Sequence, residues 1–190
     1  FDANWNLTAE AASSDFIANL STVSTSDLSA LPASFTASSG DTLISTKTFD
    51  WGGSESTYYT DAGAVLGYTH SYSDGSSTGI SYEDADRNWL GNKHTDTARG
   101  NEHSVIVTTN SDGSRVETGT DTQYAVEDGS VTTTVEWSRS FVFNFDANDN
   151  FTGGTETDNG IERSYDANWN VTAEKAGGDF IAGLTTVSQS

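Results

Sequence analysis

Over residues 131–145 the chain changes character at every second position. Val131, Thr133, Val135, Trp137, Phe141, Phe143 and Phe145 form a largely apolar set, and Thr132, Thr134, Glu136, Ser138, Ser140 and Asn144 form the polar set between them. A period of two belongs to an extended strand with one covered and one wet face, and a helix does not reproduce it. Arg139 and Val142 break the beat near the middle, which predicts a bulge or bend there. Upstream, Val116, Thr118, Thr120, Thr122, Tyr124 and Val126 keep the same beat, and residues 103–109 (HSVIVTT) read as a strand buried on both faces. Between such runs stand Asp74-Gly75, Asp112-Gly113, Asp128-Gly129 and Asn159-Gly160, dipeptides that tolerate the positive φ of tight hairpins. The expected fold is mainly β, an antiparallel hairpin meander or sandwich, with its β body over 41–164. Helix is expected only in short pieces within 14–31: SDFIANL at 14–20, copied as GDFIAGL at 178–184, and SDLSALP, with Ser26 as N-cap and Pro32 as the stop.

The ends of the chain repeat each other. Residues 1–26 and 165–190 are identical at 18 of 26 positions, an offset of 164. The duplication predicts one repeat unit over 1–164 and the start of the next over 165–190. Its core phrase, aromatic-Asp-Ala-Asn-x-Asn-apolar-Thr, returns a third time at 145 (FDANDNFT), with looser echoes at Tyr82 (YEDADRNWLG) and Tyr59 (YTDAGAVLGY). Asp and Asn accept local backbone hydrogen bonds and tolerate left-handed geometry. The phrase therefore reads as strand end, polar turn and strand start.

Leu, Ile, Val and Phe make up only 34 of 190 residues, and the net charge is −20. Few aliphatics with high charge ordinarily signal disorder, yet five Trp, seven Tyr and abundant Thr supply bulky side chains suited to strands. The eight Lys and Arg are scattered, so nucleic-acid phosphates and anionic lipid are repelled and neither is an expected partner. Without cysteine there is neither a disulfide nor thiol chemistry. No apolar run approaches the roughly 20 residues of a membrane helix, so membrane insertion is not expected. A start at Phe1 without methionine reads as a window of a longer or processed protein, any export signal lying outside it.

Residues 159–174 (NGIERSYDANWNVTAE) resemble the YD repeats of bacterial rearrangement-hotspot and teneurin-type shells, in which a tyrosine-aspartate turn is followed by asparagine, an apolar residue and threonine. The 20-residue step from Phe145 to Tyr165 agrees with that spacing. Trp5, Asp149 and Trp169 stand where those units usually carry Gly. The resemblance implies a hairpin built on the same turn chemistry. As a whole the chain is also similar to tandem-repeat units of large secreted bacterial adhesins and biofilm matrix proteins, which are Cys-free, acidic and rich in Thr, Ser, Asp, Gly and Asn. That likeness implies a secreted or cell-surface location, with neighbouring repeats or like subunits joined head to tail as partners.

Asp146-x-Asn148-x-Asn150, repeated at Asp2, Asn4, Asn6 and at Asp166, Asn168, Asn170, has the alternating oxygens that begin a calcium loop, so calcium is the cofactor to test. It is not an EF-hand, because position six is Leu, Phe or Val and position twelve from Asp146 is Thr157. A plain polar turn needs the same residues. Glu83, Asp84 and Asp86 form a second acidic cluster that reads equally as a solvated loop. Gly75-Ser76-Ser77-Thr78-Gly79 matches the G-x-S-x-G pattern but sits between strands, without the strand-to-helix elbow a nucleophile needs. His70, His94 and His103 lack metal-ligand spacing. Any paired carboxylates for glycoside hydrolysis are hidden among 28 acidic residues. Trp51, Trp89 and Tyr59, with Tyr58, Tyr68 and Tyr72, flank turns and form a candidate sugar-stacking platform, although core packing calls for the same rings. Glycans are accordingly candidate partners, and Asn6, Asn19, Asn150 and Asn170 lie in N-x-Ser/Thr sequons.

No catalytic set emerges. The expected function is a non-enzymatic structural repeat of an extracellular or cell-surface protein, as adhesin stalk, matrix fibre or self-assembling filament subunit. A carbohydrate-binding module using the exposed aromatics, and a secreted hydrolase, are the alternatives.

Overall fold

The computed structural model describes residues 12–177. The fold is mainly β, 60% strand and 7% helix, an antiparallel hairpin meander with two short α-helices. The chain divides into two compact units, 1–92 and 93–190, a division that falls inside the 164-residue sequence period.

The first unit opens with α1 (Ser14–Ile17), the two-residue β1 (Ser21–Thr22) and α2 (Thr25–Leu28). Ser13 and Ser24 cap the helices, their hydroxyls accepting from the Phe16 N–H at 3.4 Å and the Asp27 N–H at 3.2 Å. The second cap is thus Ser24 and not Ser26, because Ser24 is the residue whose oxygen reaches an unpaired first-turn N–H. The expected helical copy at 178–184 lies outside the described residues. After Pro32 a single 3-10 turn (Ala33–Phe35) drops Phe35 into the core. The strands β2 (Thr42–Thr48), β3 (Ser54–Thr60), β4 (Val65–Ser73) and β5 (Ser77–Asp84) follow, each antiparallel to the one before. Phe35 is 0% exposed and packs its ring 4.9 Å from Tyr58 and 6.5 Å from Tyr82. It lies over Gly67, where an added Cβ would come within 2.3 Å of the ring and 2.6 Å of the Glu83 carbonyl.

The strand β6 (Trp89–Asp96) crosses the division between the units. The second unit continues with β7 (Asn101–Thr109), β8 (Arg115–Glu127), β9 (Ser130–Phe145), β10 (Phe151–Asp158), β11 (Ile161–Tyr165) and β12 (Val171–Ala176), each antiparallel to the next. Among its described residues there is no helix. Its core is a cluster of Val105, Phe141, Phe143 and Phe151, with Phe145 and Tyr165 packed against it. The first unit's device recurs here. Gly119 lies opposite Phe141 and Gly154 opposite Phe143, and a Cβ at either glycine would fall 2.3 or 2.6 Å from the facing ring. Laying an aromatic across a cross-strand glycine covers bare backbone and buries the ring without a second layer above it. The opposite face of the same strands carries Thr118, Thr120, Ser138, Ser140 and Thr155, all exposed.

Two strand expectations change. In β7, Val105 and Val107 are buried while Thr108 is exposed and Ile106 only half-buried, so the strand is covered on one face, the face of the aromatic cluster. In the β8–β9 pair the register runs unbroken from Arg115↔Phe145 to Gln123↔Trp137, and the irregularities come later, between Gln123 and Val126. Arg139 needs no bulge because its guanidinium lies 4.9 Å over the Phe141 ring, and Val142 is accommodated by standing 39% exposed on the hydroxyl face.

Replacing Gly67 with alanine forces a methyl into the Phe35 ring, and destabilisation by about 1–3 kcal/mol is expected. Phe35→Ala, which empties the site, is expected to cost about 3–5 kcal/mol. Urea unfolding followed by circular dichroism checks both.

Candidate functional site

Among the described residues six corners share one hydrogen-bonding plan. In each five-residue turn, the first N–H donates to the fifth carbonyl and the fourth N–H donates back to the first carbonyl. The six are 49–53, 60–64, 84–88, 110–114, 146–150 and 166–170, with distances of 2.8 to 3.1 Å throughout. The fourth residue is left-handed every time: Gly52, Gly63, Gly113, Arg87, Asp149 and Trp169 have φ of 91°, 87°, 83°, 68°, 63° and 63°. This is a type I turn closed by a left-handed residue, a loop whose twist suits a hairpin.

Glycine takes that position at little steric cost, whereas a side chain there costs about 1–2 kcal/mol. Wherever the fourth residue is not glycine, the first is Asp and the fifth is Asn. Asp146 Oδ1 accepts the backbone N–H of Asn148 at 2.8 Å and of Asn150 at 2.9 Å, and Asn150 Nδ2 donates to Oδ2 at 3.0 Å. Asp166 repeats this with Asn168 and Asn170 at 2.8, 3.0 and 3.1 Å. Asp84 repeats it again with Asp86 and Asn88 at 2.9, 2.8 and 2.9 Å. The carboxylate thus braces the corner and offsets the backbone cost. Hydrogen bonds from the Asn side chain, then from the backbone N–H groups, hold the Asp146 and Asp166 carboxyls below the usual carboxylate range.

The side chain carried at the strained position folds back onto the sheet. The Trp169 ring stacks on Phe151 with centroids 3.6 Å apart and meets Phe143 edge-on at 5.2 Å. The Arg87 guanidinium lies 3.3 Å over the Tyr68 ring and reaches Glu55 at 3.0 Å and Glu83 at 3.3 Å. Asp149 pairs with Arg115, whose guanidinium covers the Phe145 ring at 4.1 Å. Each corner that gives up glycine thereby gains a side chain that covers a ring of the sheet or pairs with a group that does.

Beside the aromatics of the second unit runs a row of paired polar and charged side chains. His103 on β7 meets Asp121 on β8 at 2.5 Å, and Arg139 on β9 lies 3.7 Å from Asp121 and 2.8 Å from Glu156 on β10. Arg163 on β11 contacts Glu156 at 3.5 Å, Asp158 at 3.3 Å and Glu174 on β12 at 2.7 Å. Burial pushes the Glu156 carboxyl up, but hydrogen bonds from Tyr165, at 2.7 Å, and Arg139 outweigh it and hold that carboxyl below its ordinary range. The same bond to Glu156 pushes the Tyr165 phenol up.

The candidate calcium residues Asp146, Asn148, Asn150, Asp166, Asn168 and Asn170 therefore occupy two braced corners, and the copy at Asp2, Asn4 and Asn6 lies outside the described residues. Among the described residues no three His, Asp or Glu side chains converge as a metal site. Glu83, Asp84 and Asp86 diverge, Glu83 going to Arg87 and His70 and Asp84 to its own turn. Trp51 is 71% exposed in the β2–β3 corner, stacked 5.2 Å from Phe49, while Tyr59 lies near the other end of β3, edge-on to Phe16 at 5.9 Å. Trp89, 48% exposed, opens β6. Trp51 and Tyr59 are thus not brought onto a common platform. Ser77 of the G-x-S-x-G match opens β5 in a hairpin. Arg87, Arg139, Arg163 and Trp137 were not singled out from sequence as site residues. The pattern Asp-Ala-x-x-Asn, shared by 84–88, 146–150 and 166–170, finds Arg87 at once.

Fold and site together define a class of hairpin meander whose aspartate-braced corners carry side chains back onto the sheet. Comparison with protein-family models, curated proteins and solved structures finds no match.

Opposite signs are expected at two corners. Asp149→Gly releases the strained backbone and forfeits only an exposed ion pair, so stability rises by about 0.5–1 kcal/mol. Trp169→Gly releases the same strain but uncovers Phe151, and stability falls by about 1–3 kcal/mol. Denaturant midpoints of the two variants check the pair.

The lowered carboxyls predict a pH dependence as well. A group depressed in the folded state contributes stability above its unfolded value, near 4, and loses that contribution as pH falls through the folded value. Melting midpoints of the Asp146→Asn/Asp166→Asn double variant should lie below wild type at pH 7 and converge on it as pH falls through the lowered folded value.

Proposed function

We propose that this chain is a unit of a longer linear array, a non-enzymatic structural repeat of a secreted or cell-surface protein that serves as an adhesin stalk, matrix fibre or filament subunit. The observation that carries the reading is the duplication of residues 1–26 at 165–190, an offset of 164. The second copy is built into the sheet: β11 and β12 form one hairpin, paired from Ile161↔Ala176 to Tyr165↔Val171 and turned by the braced corner at 166–170. Wherever the phrase recurs along an array, the chain entering it and the chain leaving it would be held together by backbone hydrogen bonds and by pairs such as Arg163–Glu174 at 2.7 Å and Lys175–Glu162 at 2.7 Å. A junction of that kind transmits tension and sets orientation, the properties a stalk or fibre requires. The acidic surface of a chain with net charge −20 keeps such an array soluble and apart from anionic lipid and nucleic acid.

Chains carrying one, two and three copies of the 164-residue period test this reading. Electron microscopy is expected to show rods whose length grows by a constant increment per copy, and jointed beads with variable angles would overturn it. Calcium is tested on the same material. The braced corners close on their own hydrogen bonds, so the melting midpoint is expected to be equal in calcium and in chelator; an upward shift would assign the ion to the folded state.

A further inference from the structure

On the aromatic face of the second unit, Trp137 differs from its neighbours. Phe141 and Phe143, farther along β9, are 8% and 7% exposed, whereas Trp137 is 36% exposed. Among the described residues no other ring stacks on it. Its indole N–H donates to Asp158 Oδ1 at 2.8 Å, which pins the ring by one edge and leaves its orientation fixed. In register, Asn101, Gln123 and Trp137 form one row across β7, β8 and β9, and His103, Asp121 and Arg139 form the next. A cavity of about 380 Å³ opens between these residues, lined by Trp137, Gln123, Asn101, His103 and Asp121, with His94 of β6.

The polar groups around the ring are held in place. Gln123 Nε2 donates to the carbonyls of Arg99 at 2.7 Å and Tyr124 at 3.0 Å, which sets its amide plane. His103 is fixed through Nδ1 to Asp121 at 2.5 Å. Asp121 is matched by His103 and Arg139, and Asp158 by Trp137 and Arg163 at 3.3 Å, while Glu102, the other carboxylate of the lining, accepts the Tyr124 hydroxyl at 3.3 Å. A cation would meet one carboxylate, Glu102, without a basic partner among the described residues, which serves a hydroxyl donor equally, and an anion is opposed by the net charge of −20. What fits is a neutral molecule with an apolar face for the indole and a rim of hydroxyls for fixed amide, imidazole and carboxylate groups.

We propose that the cavity beside Trp137 binds a neutral saccharide, its ring stacked on the indole and its hydroxyls taken by Gln123, Asn101, His103 and Asp121. This site lies in the second unit and uses none of Trp51, Trp89 or Tyr59. It does not rest on the array reading, since rods and beads alike can carry it.

Isothermal titration and saturation-transfer NMR of the full chain test it. The probes are neutral oligomers of glucose, galactose, mannose and N-acetylglucosamine, with tetramethylammonium and oligoglucuronate as cationic and anionic controls. At least one neutral oligomer is expected to bind, with affinity reduced at least about tenfold in Trp137→Ala and several-fold in Gln123→Ala, yet largely kept in Trp137→Tyr and Trp51→Ala. Circular dichroism confirms folding, and if Trp137→Ala does not fold, the Gln123→Ala and Trp137→Tyr pair decides. Absence of binding to every neutral oligomer, binding of the charged controls alone, or a loss in Trp51→Ala equal to that at the cavity overturns the proposal.

Discussion

A carboxylate that accepts two backbone N–H groups of its own turn, and the amide of the residue closing it, decides what the corners of this protein can carry. Left-handed backbone is ordinarily surrendered to glycine, and glycine has nothing to place over a sheet. With Asp84, Asp146 and Asp166 as braces, the same geometry holds Arg87, Asp149 and Trp169. Their side chains then reach back to Tyr68, to Arg115 and to Phe151. The corner is joined to the core through the very residue that strains it.

That link matters because the second unit builds its core on one face from its own side chains. Aliphatic residues need neighbours on all sides, but a flat ring over a cross-strand glycine is covered by backbone below and by the next ring or guanidinium beside it. Phe141 over Gly119, Phe143 over Gly154 and Trp169 over Phe151 form such a pavement, edged by Arg115 and Arg139. Composition follows from this. Only 34 of 190 residues are Leu, Ile, Val or Phe because rings, guanidinium groups and ion-paired rows do the covering. The row from Asp121 to Glu174 runs beside the aromatics, Arg139 and Arg163 each placed between carboxylates of adjacent strands.

Much of the fold was legible because it is local. The two-residue beat located β8 and β9, and the four Asp-Gly and Asn-Gly dipeptides all fall in hairpin turns. Asp128-Gly129 and Asn159-Gly160 have the paired positive φ values of tight two-residue loops: 51° and 77°, then 49° and 83°. Nonlocal pairing hid the rest. Arg139 looked like a break in an apolar row because its partners Asp121 and Glu156 lie on other strands. The burial of β7 was overestimated because Ile106 faces solvent-side hydroxyl rows that the run HSVIVTT does not show. For the candidate site, the repeated Asp-Ala-Asn phrase marked two corners correctly as turns but left Asp84–Asn88 as a loose echo. The positions that matter are the first and fifth residues, and a search tied to the third misses it.

The place of the repeated phrase bears on how such units would join. A phrase lying in a loop would let the chain on either side turn freely, since a short polar linker resists bending little. Here the phrase forms the end of β11, its corner and the start of β12, and the returning strand is hydrogen-bonded to β11 over five register pairs. Bending at that point would require breaking backbone bonds, lifting Trp169 from Phe151 and separating Arg163 from Glu174. The braced corner that carries a ring over the core is, on the array reading, the element repeated from unit to unit, and its stiffness comes from the same aspartate.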